Sequence, residues 1–291
     1  MTSTTRTPLL NPSKSRLPST SLLSSSEMQY ILEGCRDNIR LDGRARDDIR
    51  DYTLLKSPFV FSNGSARILS GTTHVLCSVK AELVHPSPHH PNQGTVELHI
   101  DTLLGRRQEE LLSSLLGKLL VHDVGGLVVV PHQHVWRLGI DVLVLSHNGS
   151  LADVCSRVIR AALQNTKLPL ITPFTNHKGE IELNVDGDIN KAVEIPLDCP
   201  ICVTVLVLPG NYLVVDATLE EEACALCQVR VAIDSLKRVR GVHNQGPLQF
   251  SLKEDIIATA IQAAEKMFLQ ESMATNERDD SSLLQTQYRF R

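Results

Sequence analysis

The chain lacks any apolar run of membrane-spanning length. Its longest, Gly125 to Pro131 and Ile201 to Pro209, are strand-sized, whereas a bilayer-crossing helix needs roughly 18–20 apolar residues in succession. No membrane is therefore expected among its partners. An excess of positive charge is also missing: 29 Lys and Arg stand against 33 Asp and Glu, a formal net charge of −4. A stand-alone nucleic-acid-binding domain is usually basic overall, so a nucleic-acid contact would have to come from a local patch or a surface shared with other chains. The seven cysteines are an odd count, which fits a closed disulfide framework poorly, and they read as reduced core residues. What is present is a hydrophobic fraction of 42% in 291 residues, enough for one large domain or two small ones.

Residues 1–26 contain no acid; their only charges are Arg6, Lys14 and Arg16, in a Ser-, Thr- and Pro-rich background. Such a segment buries too little apolar surface to order itself. A mitochondrial transit segment has a similar composition, but Pro8, Pro12 and Pro18 interrupt any amphipathic helix, which favours a disordered tail. The expected organisation is a disordered tail over 1–26, one folded domain over 27–269 and a flexible C-terminal tail over 270–291.

Within the domain, the spacing predicts a helix over Ser26–Arg36 capped by Ser26. Strands follow between Tyr52 and Val84, with a turn signal at Asn63-Gly64 and with Val75, Cys77 and Val79 alternating inward. A Pro- and His-rich loop spans His85–Asn92, and Val96–Ile100 is a strand. Leu111, Leu112, Leu115, Leu116, Leu119 and Leu120 form one stripe of a helix over Glu109–Val121. Strands over Leu127–Val130 and Val135–Leu145 lead to a second helix, where Ser150 and Asp153 have capping-box spacing. Its inward face would be Leu151, Val154, Cys155, Val158, Ile159 and Ala162. Ile201–Leu208 and Tyr212–Asp216 flank the turn Pro209-Gly210-Asn211, and Thr218 with Glu221 is another capping box. Val229–Ile233 and Val239–Val242 are extended and can pair, and Ser251 with Glu254 opens a last helix. This order predicts an α+β fold, mixed β-sheets packed with α-helices.

Two metal-like patterns stand out. Cys199-Pro200-Ile201-Cys202 and Cys224-Ala225-Leu226-Cys227 have the spacing of a four-cysteine zinc ribbon. Against that, Cys202 runs straight into a buried-strand pattern, and Cys224 and Cys227 fall on one face of a helical turn, where cysteine serves as a small hydrophobe. Core positions are the better reading, with zinc the alternative. His85, His89 and His90 crowd one loop and His132 and His134 alternate along a strand start, without a third ligand nearby in sequence; no metal and no cofactor are expected.

Several segments, in order, resemble one family. Arg40-Leu41-Asp42-Gly43-Arg44 resembles the Arg-x-Asp-Gly-Arg motif of RNase PH-like proteins. Gly64-Ser65-Ala66-Arg67, Gly71-Thr72-Thr73 and Val79-Lys80-Ala81-Glu82 resemble their first hairpin. Val135-Trp136, Asp141-Val142, Ala161-Ala162-Leu163-Gln164-Asn165-Thr166 and Val215-Asp216-Ala217-Thr218-Leu219-Glu220-Glu221-Glu222 resemble the non-phosphorolytic ring subunits of the RNA exosome. The likeness covers about residues 27–268, apart from the stretch around 172–197.

The resemblance implies an RNase PH-like fold and places the family's phosphate cradle, Gly-Ser-Arg or Gly-Thr-Arg, at Gly149-Ser150-Leu151. Leucine cannot neutralise a phosphate or donate a bidentate hydrogen bond. The family's carboxylate pair maps to Ala192 and Asp198, leaving one acid without its partner; Asp188 and Glu194 have the same spacing and are the alternative pair. No catalytic residue is therefore expected. Arg106 and Arg107 fall where the family's arginines approach the RNA backbone. The implied role is a structural ring subunit that guides single-stranded RNA through a pore. Its implied partners are other RNase PH-like ring subunits, RNA-binding cap subunits and an associated nuclease, in the nucleus, nucleolus and cytoplasm. An active phosphate-dependent 3′–5′ exoribonuclease is the alternative.

Overall fold

The computed structural model describes residues 23–276 apart from 60, 122–123, 178–180 and 196. Residues 1–22 of the expected N-terminal tail and the last fifteen of the expected C-terminal tail, 277–291, lie outside the described residues, while Ser25 and Ser26, placed in the tail by the sequence, already belong to the first helix. Two sheets carry the fold. The first runs β1 (Tyr52–Lys56), β2 (Gly64–Ser70), β3 (Thr73–Val84), β6 (His134–Ser146) and β4 (Thr95–Asp101) in spatial order, with β5 (Val128–Val130) also on β6. Only β4 pairs in parallel, with β6. The second sheet runs β12 (Tyr212–Val215), β11 (Ile201–Leu208), β13 (Cys227–Ile233) and β14 (Val239–Gln245), all antiparallel. Two small ribbons join β7 (Lys167–Leu168) to β10 (Val193–Glu194) and β8 (Leu170–Thr175) to β9 (Ile181–Asp186).

Helix α3 (Leu151–Gln164) lies between the sheets, touching β2 and β3 on one side and β11 on the other. Every residue from Ala152 to Leu163 is buried as a result, a helix apolar on nearly all sides because it is covered on nearly all sides. Helix α2 (Arg106–Leu120) shares this layer. The far face of the second sheet is covered by α5 (Lys253–Asn276) through Ile256, Ala260, Ala263, Ala264 and Met267. All eight residues of β11 are consequently buried, which explains its unbroken apolar run where a half-exposed strand would alternate. The first sheet does alternate: Val75, Cys77 and Val79 point into the core, as expected.

Local details correct several expectations. Helix α1 (Ser25–Arg36) is capped by Ser24, whose hydroxyl accepts from the Glu27 N–H, so the cap sits two residues before Ser26. Leu111 is 63% exposed, and the buried stripe of α2 is carried by Leu116, Leu119 and Leu120 with Leu112 and Leu115 beside them. Ser150 makes no capping bond: its backbone is left-handed, at φ 44°, and Asp153 is drawn away to Thr204. Thr218 and Glu221 do form the reciprocal box that opens α4 (Leu219–Cys224). A 3-10 turn over Phe250–Leu252 precedes α5, so Ser251 is inside that turn, and α5 runs on to Asn276, past the expected boundary at 269. His132 occupies a turn at φ 65°, before β6 begins, so it does not alternate with His134 along a strand.

Candidate functional site

Strand β6 leads through His147, Asn148, Gly149 and Ser150 into α3. The loop is pressed against the segment before α4: a Cβ on Gly149 would lie 2.2 Å from the Ala217 carbonyl oxygen, and its φ is +78°. Only glycine meets both conditions without cost. Asn148 fastens the loop from three sides. Its N–H donates to Thr73 Oγ1 (2.9 Å), its carbonyl accepts from Arg50 Nη1 (2.8 Å), and its side-chain oxygen accepts from the Leu219 N–H (3.4 Å).

The head of α3 has the positive dipole end and unpaired N–H groups that suit an anion. The anion found there belongs to the chain itself: the Ser150 N–H donates to Glu222 Oε1 at 2.7 Å. Burial raises the Glu222 pKa above the ordinary carboxylate value, against the lowering effect of that bond and of the Arg230 and Arg50 charges. Ser150 Oγ is buried with no hydrogen-bond partner among the described residues. Leu151 turns its side chain to the apolar core, so it offers the head of the helix no charge. One turn on, Asp153 accepts from the Thr204 N–H (2.9 Å) and hydroxyl (2.5 Å), and burial pushes its pKa up to about 7.

Beside the loop, three arginines converge on α4 and the residues just before it. Arg40 makes two bonds to Glu221 and donates to the Val215 and Asp216 carbonyls. Arg44 and Arg50 both reach Asp216, at 3.1 and 2.5 Å. Burial pushes the Asp216 pKa up, but the hydrogen bonds and charge of Arg50, with Arg44 behind it, prevail and hold it below the ordinary value. The Arg40 and Arg44 positions of the sequence motif are thus structural anchors for the cradle's neighbour.

The expected acid positions are dispersed. Asp198 pairs with Arg160 Nη1 at 3.0 Å and accepts from Ser235 Oγ at 2.8 Å. Ala192 lies between the short turn Ile189–Lys191 and β10. Asp188 caps that turn by accepting from both nitrogens of Asn190, and Glu194 stands on exposed β10 opposite Lys167. Arg106 and Arg107 are the first residues of α2. The Arg106 side chain is 91% exposed, with Glu110 at 3.6 Å. Strand β4 delivers them to the end of the first sheet from which the cradle loop leaves, since Asp101 is level with Leu143 on β6.

The four cysteines do not converge. On one strand ladder Cys202 faces Ala232 and Val207 faces Cys227. Cys202 and Cys227 are therefore five ladder positions apart (202 to 207), about 17 Å at ~3.4 Å per residue. Cys224 belongs to a separate apolar cluster with Leu206 and Leu208. Burial pushes the Cys199 thiol up to about 12. His85 stacks on His134 with ring centres 5.1 Å apart, and its Nδ1 lies 2.7 Å from the Gln133 carbonyl. Among the described residues no group of three or more His, Cys, Asp or Glu is placed to hold a metal ion.

Models of the 3′ exoribonuclease family match the chain twice: domain 1 (RNase PH) over residues 48–169 and domain 2 over residues 198–267. The "Exosome complex component Rrp42" of Sulfurisphaera tokodaii is 30% identical, the alignment covering 86% of this chain and 93% of that one. The chain belongs to the RNase PH family. A "Putative exosome complex exonuclease RRP42" of Dictyostelium discoideum is 27% identical over 77% of this chain and 88% of its own. Among solved structures, an Archaeoglobus fulgidus exosome "with RNA bound to the active site" superposes with a TM-score of 0.70 at 25% identity, covering 85% of this chain and 98% of that one. The RNase PH-like fold expected from the sequence is thereby shown. The family match also gives the cradle contacts a meaning. Ser150 and Arg50 lie in domain 1, and Glu222 and Asp216 in domain 2, so the bonds that shape the cradle also tie the two family domains together. Sequence reasoning gave Glu222 and Arg50 no role at the site and read Asp153 only as half of a capping box. The only signal was the acidic run Glu220-Glu221-Glu222 after Asp216, which says nothing of a contact 72 residues back in the chain.

Proposed function

We infer that this RNase PH family member is a non-catalytic subunit of an RNA exosome ring, supporting 3′–5′ RNA processing and degradation by guiding single-stranded RNA. Within that family its motifs resemble the component called exosome component seven in vertebrates. Its relatives are named exosome components and match along most of their length. The observation that carries the non-catalytic part is at the head of α3: the family's phosphate arginine is replaced by Leu151, and the Ser150 N–H is engaged by Glu222. Phosphorolysis needs a free phosphate beside the scissile bond and groups to stabilise its charge. Here the position nearest the helix dipole already holds a carboxylate, and Asp198 is neutralised by Arg160.

RNA contact falls to Arg106 and Arg107, exposed at the cradle end of the first sheet. Such contacts act on phosphates, carry no sequence preference and weaken with salt. The partners of the chain are other RNase PH-like ring subunits, RNA-binding cap subunits, the RNA and a separate nuclease, in nucleus, nucleolus and cytoplasm.

The test combines the purified chain with single-stranded RNA, Mg²⁺ and inorganic phosphate, and measures nucleoside diphosphate release alongside the mass of its assemblies with ring subunits. Assembly without release is expected. Phosphate-dependent release by the chain alone would overturn the non-catalytic reading; no association with any ring subunit would overturn the structural one.

A further inference from the structure

The head of α3 holds more donors than one carboxylate satisfies. Glu222 takes the Ser150 N–H through a single oxygen. Ser150 Oγ, in a residue only 2% exposed, is left without a partner among the described residues. So is the buried Nε of Arg230. Arg230 stands opposite Thr204 across the strand ladder, on the face of the second sheet that receives Asp153 from the first turn of α3, and its charge acts on Glu222. Its other two nitrogens donate to Gln245 and Gln228. Unsatisfied buried donors cost stability unless something fills the place. A helix N-terminus, a hydroxyl and a guanidinium together suit a tetrahedral oxyanion, which offers more acceptor oxygens in more directions than a carboxylate.

Resting on the non-phosphorolytic reading of the same cradle, we propose that Glu222 is a specificity-determining residue: its carboxylate is a built-in anion that shuts a tetrahedral-oxyanion site formed by Ser150 and Arg230. The exclusion has two parts. Glu222 fills the volume against the Ser150 N–H, and its negative charge repels a second anion. Loss of the arginine at position 151 and occupation by Glu222 are separate changes. The second acts on binding, whatever the first does to chemistry. The shared chemistry of the excluded ligand is a phosphate group, free in solution or within an RNA backbone.

The experiment compares the full-length wild-type chain with Glu222→Ala and Glu222→Gln. Inorganic phosphate is titrated against chloride at equal ionic strength. A parallel arm adds a short single-stranded RNA in phosphate-free buffer. Binding is read as a saturable shift in Tm and as broadening of the phosphorus NMR line. The expected result is at least a tenfold gain in apparent affinity for Glu222→Ala over wild type, in one arm or both. A gain with inorganic phosphate alone assigns the site to the free ion; a gain with RNA alone assigns it to backbone phosphate. A folded Glu222→Ala protein that binds no better than wild type in either arm overturns the proposal, as does wild-type binding of equal strength. Should Glu222→Ala not fold, Glu222→Gln decides, since it removes the charge and keeps the shape: any saturable gain supports the proposal and none overturns it. Nucleoside diphosphate release by the wild-type chain would overturn the non-catalytic reading whatever Glu222 does. Absent binding by the variants would overturn the role of Glu222 and leave that reading standing.

Discussion

Arg40 and Glu221 meet edge to edge in the interior, Nε to Oε1 at 2.8 Å and Nη2 to Oε2 at 2.6 Å, with side chains 0% and 1% exposed. Glu221 is also the reciprocal partner of Thr218 at the start of α4. One carboxylate therefore caps a helix and neutralises an arginine that holds the carbonyls of Val215 and Asp216. The pair sits one residue from Glu222, so it fixes the frame from which Glu222 reaches Ser150.

Breaking such a pair from one side leaves a buried charge uncompensated, which costs about 3–5 kcal/mol. Arg40→Ala is expected to lower unfolding stability by that amount in urea titrations. Replacing both partners, Arg40→Met with Glu221→Leu, should cost less than Arg40→Ala alone, because no lone charge remains. A double variant less stable than the single one would show that the Glu221 cap of Thr218, and not the ion pair, dominates.

Gly149→Ala should be more damaging than its size suggests. The new Cβ would have to enter a 2.2 Å gap to the Ala217 carbonyl and adopt a φ of +78°. Left-handed strain and overpacking together amount to roughly 2–5 kcal/mol. A Tm within about 2 °C of wild type, equivalent to about 1 kcal/mol or less for a domain of this size, would contradict the close packing of the cradle on the segment before α4.

Asp153 gives a pH signature. Its folded pKa is raised by burial to about 7, while Thr204 lowers it in part; the unfolded value is about 3.9. Between those values the folded chain holds a proton that the unfolded chain has released. Stability from this group is therefore fully present below about pH 4 and declines as pH rises toward 7. Asp153→Asn removes the titration. The difference in unfolding free energy between wild type and variant should move in favour of wild type as pH falls from 7 to 4. A difference independent of pH would mean that Asp153 titrates normally.

Much of the fold was legible because burial has a period. The alternation of Val75, Cys77 and Val79 and the unbroken run Ile201–Leu208 each state how many faces of a strand are covered. The Thr218–Glu221 box was legible because both halves of a capping box are local. The Ser150–Asp153 spacing is the same and misleads, since Thr204, on a strand 51 residues away, competes for the carboxylate and wins. Ser26 misled in a milder way: Ser24, Ser25 and Ser26 are chemically equal, and the placement of Glu27 three residues after Ser24 selects the cap. The paired Cys-x-x-Cys motifs were rightly read as core positions, since spacing along the chain does not report that two strand positions lie five residues apart on a ladder. The site was half legible. Leu151 in place of an arginine could be read from the motif, but the anion that replaces phosphate arrives from another domain of the family.

Leu151→Arg tests whether charge alone restores chemistry. The new guanidinium would enter a cradle where Glu222 already engages the Ser150 N–H, and where the mapping implied by the resemblance leaves only Asp198 of the carboxylate pair, held by Arg160 and Ser235. No nucleoside diphosphate release is expected from this single variant, although an ion pair between the new arginine and Glu222 could raise its Tm. Measurable phosphorolysis would show that Ala192 is the wrong position for the missing acid and would move attention to Asp188 and Glu194.

Arg106→Glu with Arg107→Glu separates RNA guidance from folding. Both residues are exposed at the first turn of α2, and Arg106 has Glu110, at 3.6 Å, as its ion-pair partner among the described residues. Exposed pairs contribute little to stability, so the Tm of the chain should be nearly unchanged. A reversed charge at the two proposed phosphate contacts should weaken RNA protection by the assembled ring. It should also flatten the dependence of binding on salt by about 1.4 units of the log–log slope, since each lost contact on a single strand removes about 0.7. The salt slope is the decisive reading, because a packing defect would lower affinity without changing it. A ring carrying the double variant that protects RNA with the wild-type slope would place the RNA path elsewhere on the subunit.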